Sequence, residues 1–248
     1  TNFMIKVTIW NENQHEKTSE EVRAVHPNGI HGTLKSFLEK DEELMIRTAT
    51  LDDPECGLTQ EVLDDTDVLI WWGHMAHEKV PDEVAERVQK AVLDGMGAVF
   101  LHSAHHSKPF RRLMGTSCNL EWRETNDRER IWITAPSSPI VKGVNARYFE
   151  LEAEETYGER FDIPEPDRLI MIGWYNGGEV FRSGCCFNRG NGKIFYFQPG
   201  HETFRTFYHP TVQLIINNAV HWAANERPTV KGNTDSCLHS ERIEPMGN

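Results

Sequence analysis

The sequence predicts an α/β fold: a doubly wound, mostly parallel sheet with helices on both faces and an antiparallel edge. Short apolar runs at residues 67–72 and 98–101 are typical of strands buried on both faces, and they alternate with segments of helical periodicity. This alternation favours parallel pairing through right-handed crossovers and a flavodoxin-like strand order. A glycine-rich stretch at 189–192 between two further apolar runs predicts a hairpin, and hence the antiparallel edge.

The amino-terminal half repeats a strand followed by a helix. A long polar loop, 11–21, is expected after the first strand, and long loops in compact domains are commonly functional. Proline at position 81 followed by two acids is a strong helix start. In order, strands are predicted at 3–10, 44–51, 67–72 and 98–101, and helices from His31, at 59–63, after Pro81 and at 110–114.

The carboxyl-terminal half is less regular. Residues 116–168 are rich in charge, and only the segments 132–134 and 148–157 resemble strands there. Strands are then predicted at 169–175, 180–188 and 193–197, and a last helix begins at Pro210. We expect residues 1–224 to form a single domain and 225–248 to be a polar surface tail.

Composition excludes several classes of partner. The chain has 248 residues, of which 38% are hydrophobic, enough for one large core. Its formal net charge of −12 argues against a nucleic-acid surface and against docking on anionic membranes, both of which need basic groups. A small, uncharged molecule is the expected partner. A homo-oligomer is compatible with the sequence, which does not define the oligomeric state.

The cysteines and the apolar runs indicate the compartment. No apolar stretch approaches the ~20 residues of a membrane span, and the first ten residues do not resemble a secretion signal. The five cysteines are scattered and form no Cys-x-x-Cys pair, so neither a disulfide framework nor a zinc-thiolate site is indicated. The sequence therefore predicts a soluble, cytoplasmic protein.

The leading candidate site follows the strand 98–101. There the apolar run stops at His102, Ser103, His105 and His106, which would lie at the carboxyl end of a central strand. Ligands bind at that edge of open α/β sheets. Ser103 is a weak candidate nucleophile, because a nucleophile elbow needs small residues where this chain has Leu101 and His105.

Three histidines follow three different predicted strands. His74, His102 and His201 should meet at one edge of the sheet, where imidazoles could hold a divalent ion such as zinc or act as acids and bases. Glu12, His31 or Glu202 could complete a metal shell. A hydrogen-bonded structural role is the more common use of any single histidine.

Other chemistries have little support. Cys185 and Cys186 lie within a predicted strand, which would point one side chain to each face. Trp72 could offer a flat face to a sugar ring, although a tryptophan inside a strand more often fills the core. The chain has no glycine-rich dinucleotide motif and no phosphate loop, so no nucleotide cofactor is expected.

Several motifs together resemble the ThuA-like family of trehalose-utilisation proteins, over about residues 4–224. The motifs are Trp10-Asn-Glu, His31-Gly, Trp72-Gly-His74, Leu101-His-Ser-Ala-His105 and Gly192-Lys-Ile-Phe-Tyr-Phe-Gln-Pro-Gly-His201. The resemblance implies a fold related to class I glutamine amidotransferases and a role in the breakdown of disaccharides or their 3-keto derivatives. The amidotransferase cysteine is replaced by His102-Ser103-Ala104, so glutamine hydrolysis is not expected.

Two functional hypotheses remain open at this stage. One is an enzyme of sugar metabolism, of hydrolase or lyase type; the other is a non-catalytic sugar-binding or regulatory module with the same crevice. The candidate catalytic residues are His102, His105, His201, Glu202 and Glu12. The candidate substrate-binding residues are Ser103, His31, Trp72 and His106, and the candidate metal ligands are His74, His102 and His201.

Overall fold

All nine strands belong to one sheet in the computed structural model, which describes residues 4–224 and, beyond them, only positions 241, 243, 244 and 247. The predicted tail 225–248 therefore lies largely outside the described residues. The strands are β1 (Ile5–Asn11), β2 (Leu44–Thr50), β3 (Val68–Trp72), β4 (Gly97–Leu101), β5 (Glu121–Ile133), β6 (Tyr148–Gly158), β7 (Arg168–Tyr175), β8 (Val180–Arg189) and β9 (Gly192–Phe197). Their order in the sheet is β2-β1-β3-β4-β9-β8-β7-β5-β6.

The parallel half of the sheet has the predicted strand order. Strands β2, β1, β3, β4 and β9 pair in parallel, which reproduces the flavodoxin-like 2-1-3-4-5 order with β9 as the fifth strand. The buried strands β3 and β4 pack on both faces, with alternate side chains such as Val99 and Phe100 in different core layers. This half brings the carboxyl ends of β1, β3, β4 and β9 to one edge.

The prediction of a mostly parallel sheet is only partly confirmed, because the pairings are evenly divided. Four neighbouring pairs are parallel and four are antiparallel. The connection between β8 and β9 is only residues 190–191, too short for a parallel crossover, and the long strands β5 and β6 extend the same antiparallel half. Ile172 of β7 is only half-buried, since β7 lies two strands beyond β9.

Helices cover both faces of the sheet. They are α1 (His15–Thr18), α2 (Glu20–Val25), α3 (Gly29–Leu38), α4 (Gln60–Asp64), α5 (Asp82–Asp94), α6 (Lys108–Met114) and α7 (Pro210–Ala223), with 3-10 turns at Pro54–Gly57, His77–Lys79, His102–His106, Pro139–Val141 and Thr206–Tyr208. Helices α3 and α7 pack against one face of the sheet, and α4, α5 and α6 pack against the other. The polar segment 11–21, predicted as a loop, instead contains α1 and the start of α2. Among the described residues, none of these helices has the length and hydropathy needed to cross a membrane.

Gly97 permits the close approach of α7 to the first residue of β4. A Cβ atom there would lie 2.3 Å from the carbonyl oxygen of Ala223. Gly97→Ala should therefore lower the free energy of unfolding by roughly 1–3 kcal/mol, the usual cost of overpacking, measured by urea denaturation. Gly158→Ala is the control, because its Cβ would meet only atoms at 3.7 Å or more. Equal urea midpoints of unfolding for the two variants would contradict the close contact between Gly97 and Ala223.

Candidate active site

Polar loops converge at the carboxyl edge of the parallel half. Each loop follows a different strand, so the sheet itself brings distant parts of the chain together. These loops contribute Glu12 and His15 after β1, His74 after β3, His102 to His106 after β4, and His201 and Glu202 after β9. The convergence of His74, His102 and His201 follows the prediction: the His102 and His201 rings lie 5.7 Å apart, and Glu202 contacts both His74 and His201.

The backbone after β4 turns sharply at His102. Its φ is +49°, a left-handed conformation that is uncommon for a residue with a side chain. The hydroxyl of Tyr196 donates a hydrogen bond to the His102 carbonyl at 2.8 Å and holds the turn. The 3-10 turn His102–His106 then presents Ser103, His105 and His106 to the crevice, while Ala104 packs in the core.

The His102 ring is completely buried and both of its nitrogens have partners. Nδ1 donates to the carbonyl of Gln198 at 2.6 Å, and Nε2 lies 2.9 Å from Oε1 of Glu155. Burial alone would lower the pKa of His102, but the hydrogen bond to Glu155 and the charges of Glu154 and Glu155 raise it to about 9. At neutral pH the ring is therefore an imidazolium that donates from both nitrogens.

Glu155 carries the carboxylate of this pair and reaches the crevice from β6. Burial would raise the pKa of its carboxyl, but the hydrogen bond and charge of His102 hold it below its ordinary value. Tyr157, two residues along the same strand, stacks its ring on His102 with centroids 4.5 Å apart. Burial and the charge of Glu155 raise the pKa of Tyr157 well above its ordinary value. An ionised carboxylate and a protonated phenol thus lie side by side.

Glu154 fixes the loop after β9 in place. Its carboxylate accepts hydrogen bonds from the backbone N–H groups of Gly200 and His201, both at 3.2 Å, and from the hydroxyl of Thr206 at 2.6 Å. Because Glu154 precedes Glu155 on β6, one strand anchors the loop of His201 and supplies the carboxylate that pairs with His102.

A cavity of about 400 Å³ opens beside Glu155 and Tyr157. It lies between the loops after β3 and β4 and the antiparallel pair of strands β5 and β6. Trp122 lines the cavity with 67% of its surface exposed. Its lining consists of His74, His77, Ser103, His105, His106, Asn119, Leu120, Trp122, Glu124, Glu155 and Tyr157.

His105 and His106 both line this cavity, as expected for candidate site residues. Nδ1 of His105 donates to the carbonyl of Cys118 at 2.7 Å, which leaves Nε2 as the basic nitrogen. Burial lowers the pKa of His105 well below its ordinary value, so its ring is neutral. His106 is more exposed, and its Nε2 lies 2.7 Å from the side-chain oxygen of Asn119.

Glu202 lies among imidazoles. Its Oε1 is 3.1 Å from Nδ1 of His15, 3.2 Å from Nε2 of His74 and 3.7 Å from Nε2 of His201. Nε2 of His201 also lies 3.1 Å from Glu124. Because His102 has no free nitrogen, the predicted ligand set of His74, His102 and His201 cannot coordinate one ion; Glu202 and His15 are beside His74 instead.

Three predicted site residues are engaged elsewhere. Glu12 accepts from the backbone N–H groups of residues 75 and 76, so it shapes the loop after β3 and has no oxygen free for catalysis. His31 accepts from the amide of Asn11 through Nδ1 and does not line the cavity. Trp72 is fully buried and donates from its indole to the carbonyl of Gly200 at 3.0 Å, so its face cannot receive a sugar.

The residues that sequence reasoning missed come from β5 and β6. Trp122 and Glu124 lie where no strand is predicted, whereas Glu155 and Tyr157 lie in the predicted strand 148–157 but no motif marks them as site residues. The acids of residues 150–155 are typical of a solvated surface, and nothing local marks Glu155 as buried. The burial of this segment appears only in the structure, where the alternation of β6 breaks and residues 154–158 are all buried.

Comparisons with known proteins agree with this architecture. A ThuA-like protein from Parabacteroides merdae superimposes with a TM-score of 0.67 at 16% identity, over 94% of each chain. A ThuA-like protein from Bacteroides uniformis gives 0.62 at 15%, over 88% of this chain and 90% of that one. A Salmonella typhimurium protein described as cytoplasmic gives 0.62 at 12%, over 90% and 100%. At these identities the likeness shows the fold alone.

Sequence comparison identifies the family. No curated protein matches this chain. The family model described as trehalose utilisation (ThuA), however, matches residues 6–223. Since that match extends over most of the sequence, the chain belongs to the ThuA family.

Proposed function

We propose that the chain is an enzyme of carbohydrate metabolism that cleaves a disaccharide, in particular one carrying a 3-keto group, in the cavity at the carboxyl edge of the sheet. The observation that carries this proposal is the ionised Glu155, paired with a buried imidazolium and adjacent to the protonated Tyr157. Neighbouring groups whose pKa values are shifted apart are typical of acid–base sites.

Cleavage of a 3-keto sugar by elimination needs a base and a hydrogen-bond donor, the roles we propose for Glu155 and Tyr157. The hydrogen on C2 is acidic because it lies next to the ketone, and Glu155 is the base that removes it. Tyr157 donates a hydrogen bond to the ketone oxygen as negative charge develops there. The electron pair left at C2 then forms a double bond to C1, and the C1–oxygen bond to the second sugar breaks. The released oxygen takes up the proton that Glu155 removed, which leaves Glu155 ionised again. Water then adds across the double bond, with its OH at C1 and its hydrogen at C2, to give the free 3-keto sugar.

Trp122 suits the substrate class. Its exposed indole lines the cavity, and an aromatic face packs well on the apolar face of a pyranose ring. Asn119 and Glu124, in the same lining, can bind hydroxyls. A neutral, polyhydroxylated ligand also fits a chain whose net charge is −12.

Trp122→Ala should raise KM about 3- to 10-fold and leave kcat nearly unchanged, because stacking stabilises the bound substrate and the transition state equally. Steady-state kinetics on the disaccharide would measure it. Trp174→Ala is the matched control, an exposed tryptophan on β7 that does not line the cavity. A fall in kcat with unchanged KM would contradict this role and show that Trp122 acts in the chemical step.

Ser103→Ala should retain most activity. The Ser103 hydroxyl donates to the carbonyl of Gly73 at 2.6 Å, so it supports the loop after β3 and is not paired with a base. Losing that hydrogen bond costs about 1 kcal/mol of stability, whereas loss of a true nucleophile removes several orders of magnitude in rate. A collapse of turnover with unchanged folding would establish covalent catalysis through Ser103.

Cysteine chemistry is not part of this proposal. Cys185 and Cys186 are buried in different core layers of β8, and burial raises the pKa of both thiols, to about 12 for Cys186. A buried thiol that keeps its proton is a poor nucleophile. The four cysteines described are all free and buried, which fits the reducing cytoplasm as the compartment in which we propose the enzyme acts.

The alternative is a sugar-binding module without turnover. Purified protein incubated with trehalose, other disaccharides and their 3-keto derivatives, with products followed by chromatography, separates the two functions. The proposal predicts release of a monosaccharide from the 3-keto substrate. Thermal stabilisation by a sugar without any product would support the binding module.

A further inference from the structure

Glu202, His15 and His74 form a compact group beside the cavity, and each follows a different strand of the parallel half. His15 begins α1, His74 follows β3, and Glu202 lies in the loop after β9. One nitrogen of each ring and one oxygen of the carboxylate all lie within 4.8 Å of one another. The parallel topology thus places two imidazoles and one carboxylate around a single point.

The spacing matches that of ligands on one ion. Metal–nitrogen and metal–oxygen bonds of ~2.0–2.2 Å in a tetrahedral site separate neighbouring ligand atoms by about 3.3 Å. The two nitrogens lie 3.1 and 3.2 Å from Oε1 of Glu202. Small adjustments would let all three atoms reach one ion.

The second oxygen of Glu202 lacks a partner. The side chain is only 2% exposed, yet Oε2 accepts no hydrogen bond among the described residues. Within the described part of the chain, the ionic contacts of this carboxylate are to histidines, with no lysine or arginine among them. A buried carboxylate oxygen without a partner in the protein is satisfied by a proton, an ordered water or a bound cation.

His201 does not belong to this group. Its Nδ1 accepts a hydrogen bond from the backbone N–H of Thr203 at 3.2 Å, so in the neutral ring Nε2 carries the proton and faces Glu124. A protonated nitrogen cannot ligate a metal. The fourth position around an ion held by His15, His74 and Glu202 would therefore be free for water or substrate.

We propose that Nδ1 of His15, Nε2 of His74 and the carboxylate of Glu202 bind one divalent transition-metal ion of the zinc type, with an open position. Two histidines and one glutamate form the ligand set of open zinc sites. Since His74 also lines the cavity, the ion would stand at its edge. The site does not depend on the proton transfer proposed for Glu155.

Metal titration without any sugar tests this site. Untagged protein freed of metal by chelator is titrated with Co²⁺, followed by visible absorption, and with Zn²⁺, followed by calorimetry. We expect one equivalent to bind. Affinity should fall by more than about 100-fold in His15→Ala, His74→Ala and Glu202→Gln, because even outer-shell changes cost 10–100-fold.

His221→Ala is the matched control. His221 forms a similar group with Asp41 and Glu43, but at the opposite edge of the sheet, beside the start of β2. This variant should bind the metal as the wild type does. Absence of binding by the wild-type protein, or equal binding by the three ligand variants with unchanged circular dichroism, would overturn the site. Because sugar turnover is measured separately, either result leaves the role of Glu155 to its own test.

Discussion

Glu155→Gln is expected to reduce turnover of the 3-keto disaccharide by about 100- to 10,000-fold, the usual contribution of a general base. The amide has the shape of the carboxylate but cannot remove a proton. Because it can still accept a hydrogen bond from His102, the fold should be preserved. Steady-state kinetics with circular dichroism of both proteins measures the effect.

Glu152→Gln is the control for that substitution. Glu152 lies on the same strand, three residues earlier, and is exposed outside the cavity. Its variant should keep full activity. If Glu155→Gln kept wild-type turnover, Glu155 would be a structural partner of His102 and the base would have to be sought elsewhere, with neutral His105 the next group that lines the cavity.

His102→Gln is expected to lower the free energy of unfolding by about 3–5 kcal/mol, because it leaves the buried carboxylate of Glu155 without its cation. Denaturant unfolding would measure the loss. The double variant His102→Gln with Glu155→Gln has neither the imidazolium nor the carboxylate, so no buried charge is left unpaired. Much of the lost stability should therefore return. Additive losses in the double variant would contradict an ion pair.

The same pair sets a dependence on pH. The pKa of His102 is raised in the fold to about 9, so the folded state holds its proton more tightly than the unfolded chain, whose imidazole titrates near 6.5. The stabilisation is complete below about pH 6.5 and is lost as the pH rises to about 9. Glu154, Glu155, Tyr157 and His201 face the ring. His102→Gln should remove this component of the alkaline decline in stability.

Sequence patterns predicted the parallel half because its strands are unbroken apolar runs. Segments 68–72 and 97–101 are apolar at every position, so both faces of each strand must be covered. Strands covered on both faces are typical of parallel sheets between two layers of helices. Strand β5 is different, since its thirteen residues are mostly charged and only partly buried. A strand whose side chains face solvent gives no periodic apolar signal, so its length and pairing could not be predicted.

The candidate site could be predicted in position but not in chemistry. Topology places His74, His102 and His201 at one edge because each follows a buried strand. It does not say which atom each ring faces. His102 pairs with Glu155, a residue 53 positions away. His102 follows β4 and Glu155 lies on β6, and these two strands are not neighbours in the sheet. The roles depend on those partners and therefore required the three-dimensional structure.

Deuterium incorporation tests the central claim, that Glu155 removes a proton from the carbon beside the ketone. The enzyme is incubated in D₂O with a 3-keto disaccharide, and the products are analysed at early times by NMR, with a sample lacking enzyme as the measure of spontaneous exchange. The account predicts that the released 3-keto sugar carries deuterium at C2 from the first turnover, and that Glu155→Gln suppresses release and exchange together. Release of a 3-keto sugar that retains its original C2 hydrogen would contradict the account.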